Sequence, residues 1–309
     1  MTIKSWGVLC AVCFGLMTLS CNQQDRQELP DTYYEGVLHI SCDESFKPVM
    51  DEQVAVYEGL YPAVDIVMHY KPEADCLKDF LVDSIRMIIA TRGFSESEEQ
   101  LITDSLKLRP EKLVVAHDLI AVIVNPAAKQ TFFTMQEIRD VLTGRLKKNL
   151  IPVFDGNRAT STVRFMLDSV LKGERLGQNV VAAESSAAVI DYVSRTTNAV
   201  GFVGFGWIGN MDDTAQLSYR KKVKTAFVES TDSAGAYVTP SQYFIYTKSY
   251  PMVRDLVYVV KERHTGVAHG FAHFLTTMQG QLLFRRSYIM PVLYPNYLRD
   301  AELQDTINN

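Results

Sequence analysis

From Gly36 onward the chain repeats one alternation: a short apolar run, a polar loop, then a run of helical period. GVLHI (36–40) reads as a strand, SCDES as its loop, and FKPVMDEQVAVYEGLY as a helix with Met50, Val54, Tyr57 and Tyr61 on one face. VDIVMHY (64–70) with ADCLKDFLVD repeats the pair, and RMIIA (86–90), TRGF and SESEEQLITDSL repeat it again. Ser95 with Glu98 spells a capping box at that third helix. Strands alternating with helices through short loops give an α/β fold with mostly parallel sheets. Ligands of such sheets sit beyond the carboxyl ends of the strands, so the strand-to-helix loops carry the functional candidates.

KLVVAHDLIAVIVN (112–125) is a longer apolar run broken by charge, and it suits a strand that crosses from one lobe into another. Beyond it lie a helix closed by glycine (TMQEIRDVLTG), the stretch VFDGNRATSTVRFMLDSVL, a strand (NVVAA), a helix (SSAAVIDYVSRT) and a strand (NAVGFVGF). YFIYTK and LVYVVKE read as late strands, and TGVAHGFAHFLTTMQGQLLFRRS as closing helices. A chain of 309 residues, 47% of them hydrophobic, can bury two lobes. The expected division is 34–116 plus 230–309 for the first lobe and 117–229 for the second, with hinge crossings near His117 and Phe227. A formal net charge of −5 argues against a nucleic-acid partner held by bulk electrostatics. An anion must instead be held by local donors.

Lys4 precedes WGVLCAVCFGLMTL (6–19), which is short for a bilayer span and the right length for a signal-peptide core. It ends at Leu19-Ser20-Cys21, before the polar NQQDRQELPD. This end resembles a bacterial lipobox, which implies a signal peptide over 1–20, lipid on Cys21 and a tether over 21–33. Thr18 departs from the leucine preferred there, and an ordinary cleaved signal peptide is the other reading. Both place the protein outside the cytoplasmic membrane, either lipid-anchored in the cell envelope or released. Cys42 and Cys76 remain in the mature chain, and nothing in their spacing shows whether their geometry permits a disulfide.

Three strand-to-helix loops share one chemistry. Ser45 precedes a helix with Pro48 in its first turn; Thr91-Arg92-Gly93 leads to the cap at Ser95; Thr160, Ser161 and Thr162 precede a run with Val163, Met166, Leu167, Val170 and Leu171 on one side. A helix start leaves about four backbone N–H groups unpaired and carries roughly half a positive charge. One hydroxyl suffices to cap it, whereas three in a row suit a start that also holds something negative. Each charge-assisted hydrogen bond contributes about 1.5–3 kcal/mol net, so five or six cover the roughly 8 kcal/mol that micromolar binding requires. Ordinary capping of three helices is the plainer alternative.

The mature chain resembles the PstS-like phosphate-binding proteins of ABC importers, a branch of the type II periplasmic solute-binding fold. GVLHISCDESFKPVMDEQVAVYEGLYP is similar to that family's opening strand, ligand loop and first helix, IIATRGFSESE to its third-strand loop, and VFDGNRATSTVRF to its Ser-Gly-Thr loop. NAVGFVGFGWI, YPMVRDLVYVV and GFAHFLTTMQGQ follow in the family's order. The resemblance implies an α/β fold of two lobes, each a mostly parallel sheet flanked by helices, and inorganic phosphate held between them. It implies Ser45 and Phe46, Thr91, and Thr160, Ser161 and Thr162 as phosphate donors, with Arg164 as the cationic clamp and Arg92 or Arg158 as other clamps. It further implies a monomer serving a membrane permease, with no cofactor and no metal.

Two departures bear on selectivity. Thr160-Ser161 stands where the family has Ser-Gly, and Arg92 where many phosphate binders have an aspartate that accepts the ligand's proton. Asp43, Glu44 and Asp155 are the candidate replacements. A sensor or adhesion module of the same fold, without a transport role, is the alternative function. No enzyme is expected, because no nucleophile elbow appears and no catalytic triad can be asserted. Gly204-Phe-Gly206-Trp-Ile-Gly209 spells a dinucleotide fingerprint, but NMDDTAQLSYRKK after it lacks an apolar helical stripe, so these read as loop glycines. His269 and His273, with His264 before them, lack the glutamate of a metalloprotease helix. The adjacent acids Asp212-Asp213 and Glu98-Glu99 read as solvated.

Overall fold

The computed structural model describes residues 31–156 and 160–293. The signal segment, the Cys21 lipidation site and Arg158 lie outside the described residues. The first alternation forms β1 (Glu35–Asp43), α1 (Lys47–Leu60), β2 (Ala63–Lys71), α2 (Glu73–Asp79), β3 (Ile85–Ala90) and α3 (Glu96–Leu106). A 3₁₀ turn over Glu44–Phe46 joins β1 to α1. β1 pairs in parallel with both β2 and β3, as the alternation requires. Leu38 and Ile40 on β1 meet Met50, Tyr57, Phe271 and Phe284 in one core, while Ile88, Phe80, Phe94 and Ile102 fill a smaller one. The Ser95–Glu98 capping box is formed in both directions.

β4 (Glu111–Val124) is the crossing strand. Next come β5 (Phe132–Phe133), α4 (Met135–Thr143), β6 (Ile151–Phe154), α5 (Ser161–Phe165), β7 (Val181–Ala182), α6 (Ser186–Arg195) and β8 (Ala199–Gly204). α5 widens into a π turn over Met166–Val170. β6 pairs in parallel with β7 and β8, and β8 runs antiparallel to the far half of β4. Ile120, Val122, Phe133, Ile138, Val163 and the stacked pair Phe154–Phe202 make the second core. Each fully buried ring stabilises the fold by about 1.5–3 kcal/mol.

The remaining elements are α7 (Thr214–Lys222), β9 (Lys224–Thr225), β10 (Phe227–Glu229), β11 (Tyr237–Val238), α8 (Gln242–Tyr246), β12 (Val253–Val260), α9 (Val267–Thr276), α10 (Met278–Arg286) and β13 (Met290–Pro291). β12 inserts between β3 and β4, antiparallel to each, so the strands run β2-β1-β3-β12-β4-β8-β6-β7. The result is a two-lobed α/β molecule whose sheets share β4.

Two expectations change. YFIYTK is a helix, because the Ser241 hydroxyl accepts the Phe244 amide and starts a turn before the aromatic run can extend. Val238, Ile245, Tyr250 and Met252, expected with the first lobe, are buried in the second core. The β10–β11 pairing and a Tyr250 hydroxyl bond to the Ile120 carbonyl at 2.8 Å hold them there. Cys42 and Cys76 are both buried free thiols. The Gly204–Gly209 stretch forms a 3₁₀ turn over Phe205–Trp207, and α7 starts only after the Asp213 cap, so no helix opens on the glycines.

Candidate anion-binding site

Side chains just past the carboxyl ends of six strands converge: Asp43 to Phe46 after β1, Glu73 after β2, Thr91 after β3, Asp155 and Thr160 to Thr162 after β6, Ser186 after β7, and Gly204 ending β8. The three consecutive hydroxyls divide their work. Thr160 caps α5 by accepting the Val163 amide at 3.3 Å. Ser161 and Thr162 are fully buried and face inward. Ser161 Oγ lies 3.3 Å from Ser45 Oγ, which in turn donates to Asp43 Oδ1 at 2.9 Å. One hydroxyl therefore belongs to the helix and two to the cleft.

The cation among them is Arg254, which the sequence reading missed. Its Nη1 donates to Ser161 Oγ at 2.8 Å and Thr162 Oγ1 at 3.3 Å, and its Nε and Nη2 donate to Asp118 Oδ2 at 3.1 and 2.8 Å. The guanidinium also stands 5.2 Å from the centre of the Phe46 ring. Arg254 and Asp118 are register partners on β12 and β4. The available signal was weak: Asp118 interrupts the apolar part of β4 next to His117, and Arg254 stands beside Asp255 at the start of β12. Gly204 makes room for the pair: a Cβ there would come within 2.7 Å of Arg254 Nη2 and 3.1 Å of Asp118 Oδ2.

Thr91 and Arg164 join a second group beside the first. Glu73, almost fully buried, accepts from the Thr91 amide at 3.0 Å, Thr91 Oγ1 at 2.5 Å and Arg164 Nε at 2.5 Å. Arg164 Nη2 also donates to Thr91 Oγ1 at 2.6 Å. Arg92 does not join them. It forks onto Glu98 at 2.8 and 3.2 Å, within the capping box of α3, and holds that carboxyl down at about 2 together with the Ser95 amide. Sequence missed Glu73 because an acid in the first turn of a helix is an ordinary occurrence.

Five carboxyl groups, those of Asp43, Glu44, Glu73, Asp118 and Asp155, thus stand around the guanidiniums of Arg164 and Arg254. Burial pushes Asp43 up to about 6 against the pull of Arg254, with Glu73 adding to the rise. Burial likewise pushes Glu44 up to about 7, although Ser186 Oγ donates to it at 2.8 Å. Asp118 and Asp155 are raised by burial too. Glu73 is the exception: burial raises it, but Arg164 and Thr91 outweigh burial and hold it below the usual value. Asp43 Oδ2 and Asp155 Oδ1 are buried without a hydrogen-bond partner among the described residues. The cleft therefore offers hydroxyl and guanidinium donors together with acceptors that can take a proton from a ligand.

The other clusters weighed in the sequence lie elsewhere. His264 bonds Asp31 at 2.7 Å, His269 bonds Glu262 at 2.7 Å, and His273 stacks on Tyr33. Asp31, Glu262 and His264 present ligand atoms within 4.8 Å of one another. The Arg86 guanidinium pairs with both of those acids and already supplies a positive charge. Glu99 pairs with Lys112 at 3.0 Å.

A two-lobed α/β frame with a polar cleft at its strand ends is the architecture of the periplasmic-binding-protein-like fold. The chain belongs to the PBP superfamily, whose domain model matches residues 24–278. It is 19% identical over 278 residues to the phosphate-binding protein PstS of Borreliella burgdorferi, covering 85% of this chain and 89% of that one. The PstS of Pseudomonas aeruginosa is 23% identical over 218 residues, 63% of this chain and 67% of that one. Among solved structures, an ABC-type phosphate transport receptor from Vibrio cholerae superposes with a TM-score of 0.60 at 18% identity, over 83% of this chain and 100% of that one. A protein assigned as a phosphate ABC transporter substrate-binding protein, with phosphate bound, from Clostridium perfringens reaches 0.70 at 20% identity, over 84% and 100%. These likenesses carry the fold.

Proposed function

We propose that this protein is an extracytoplasmic solute-binding lipoprotein that captures inorganic phosphate between its two lobes for an ABC permease. The observation that carries the reading is the buried Arg254 guanidinium sharing one nitrogen between Ser161 and Thr162. In this reading Ser161 and Thr162 belong to the second lobe and Arg254 to the chain crossing at the start of β12, with Ser45 and Phe46 of the first lobe beside them. A tetrahedral oxyanion would take the hydroxyls, Arg254 and the nearby amides as donors. Asp43 and Asp155, each with an unpartnered oxygen, would accept a phosphate proton and disfavour sulfate, which has none to give. Closure of the lobes on the anion follows if the closed form binds it better than the open one. In this reading the second chain crossing lies near Val253, where β12 begins, and Cys21 carries the lipid. The protein acts as a monomer and performs no catalysis.

The test is calorimetric titration of purified protein, stripped of anion by partial unfolding and refolding, with phosphate and with sulfate as competitor. Micromolar or tighter phosphate binding, lost when Ser161 and Thr162 are changed to alanine, is the expected result. No heat and no thermal shift with either anion would overturn it.

A further inference from the structure

Thr91 and Arg164 form a ready cradle for an oxyanion: a backbone amide, a hydroxyl and a guanidinium aimed at one point. That point is already taken by a carboxylate of the same chain. Glu73 Oε1 receives the Thr91 amide, its hydroxyl and Arg164 Nη2 (3.3 Å), and Oε2 receives Arg164 Nε. Glu73 and Thr91 stand at the ends of β2 and β3 in the first lobe, and Arg164 stands on α5 in the second. The carboxylate therefore bridges the lobes through the same kind of donors that the cleft presents to a ligand.

We infer that Glu73 is a tethered competitor for the anion: phosphate gains Thr91 and Arg164 only by displacing its carboxylate, so Glu73 sets the affinity of the site. The inference rests on the anion-binding reading above. Three observations support it. The carboxylate is almost wholly buried, so water does not weaken its hold on these donors. Its charge cancels that of Arg164, which leaves Arg254 as the cation serving the Ser161–Thr162 side. It also acts on Asp43, raising that carboxyl, which places its charge within electrostatic reach of the cleft. A tethered group meets its donors at a high effective concentration, against which every free anion must compete.

The test compares wild type, Glu73→Gln, Arg164→Gln and the double variant by calorimetric titration with phosphate, each checked for folding by circular dichroism and melting temperature. E73Q removes the charge and keeps the shape, so phosphate affinity rises about tenfold or more, the effect of deleting one like charge at short range. In the double variant that gain largely disappears, because the donor that Glu73 withheld is gone. A crystal structure of the wild type with phosphate gives an independent reading should E73Q fold poorly: Thr91 Oγ1 and Arg164 turn from Glu73 to the anion. Binding by wild type with no gain in a folded E73Q, or a phosphate complex in which Glu73 keeps both partners, overturns the inference alone. Absence of phosphate binding in wild type and every folded variant overturns the anion reading and the inference with it.

Discussion

Arg254 and Asp118 stand opposite one another on neighbouring antiparallel strands, and their side chains close an ion pair at 2.8 Å with both groups almost fully buried. One carboxylate oxygen takes two guanidinium nitrogens, which leaves Nη1 aimed at Ser161 and Thr162. Asp118 thus acts as a positioning residue for the cleft's cation. Asp118→Asn leaves a buried guanidinium without its counter-charge and should cost about 3–5 kcal/mol of stability. Urea unfolding measures it, and a loss below roughly 1 kcal/mol would contradict the account.

The hydroxyl trio should separate by phenotype. Thr160→Ala removes a helix cap, lowering stability by about 1 kcal/mol with little change in phosphate affinity. Ser161→Ala and Thr162→Ala should each weaken binding by about 1.5–3 kcal/mol, the worth of a charge-assisted bond. Paired melting and titration curves decide it; equal effects at all three positions would defeat the division.

Gly204 should tolerate no side chain. In Gly204→Ala the methyl meets Arg254 and Asp118 inside van der Waals contact, so we expect about 1–3 kcal/mol of destabilisation and weaker phosphate binding together. Gly59→Ala on α1, where an added methyl meets nothing within 4 Å, is the control and should lose no stability.

Acidity should favour the fold through Asp43 and Glu44. Both carboxyls are raised by burial, to about 6 and about 7, so the folded state binds protons that the unfolded state releases near its ordinary carboxylate values. Their contribution is fully present below those ordinary values and is lost as pH rises through about 7. Asp43→Asn and Glu44→Gln should each flatten the fall in urea midpoint between about pH 4 and 7. Identical slopes in wild type and both variants would refute the assignment.

The repeating strand, loop and helix was plain in the sequence, because apolar spacing at periods of two and 3.6 is a local property. The cap at Ser95 and the closing Gly144 were equally local. What stayed hidden depends on pairing across the chain. Asp118 reads only as a charge breaking an apolar run, and Arg254 falls outside the strand read as LVYVVKE; nothing joins them until β12 is known to lie beside β4 in one register. Arg164 and Thr91 were visible as donors, but their engagement by Glu73 depends on where the ends of β2 and β3 meet α5. YFIYTK misled because its aromatic alternation outweighed one serine at the helix start.

The place of β12 fixes an order in time. It fills the gap between β3 and β4, yet it spans residues 253–260 of 309, so the first sheet stays open until most of the chain exists. Until then β3 and β4 expose edges that no earlier segment covers, and every chain that ends before Val253 lacks both its central strand and its buried arginine. Closure of a contact this distant in sequence is slow. The cleft's buried cation therefore cannot be in place until the chain has been made as far as β12.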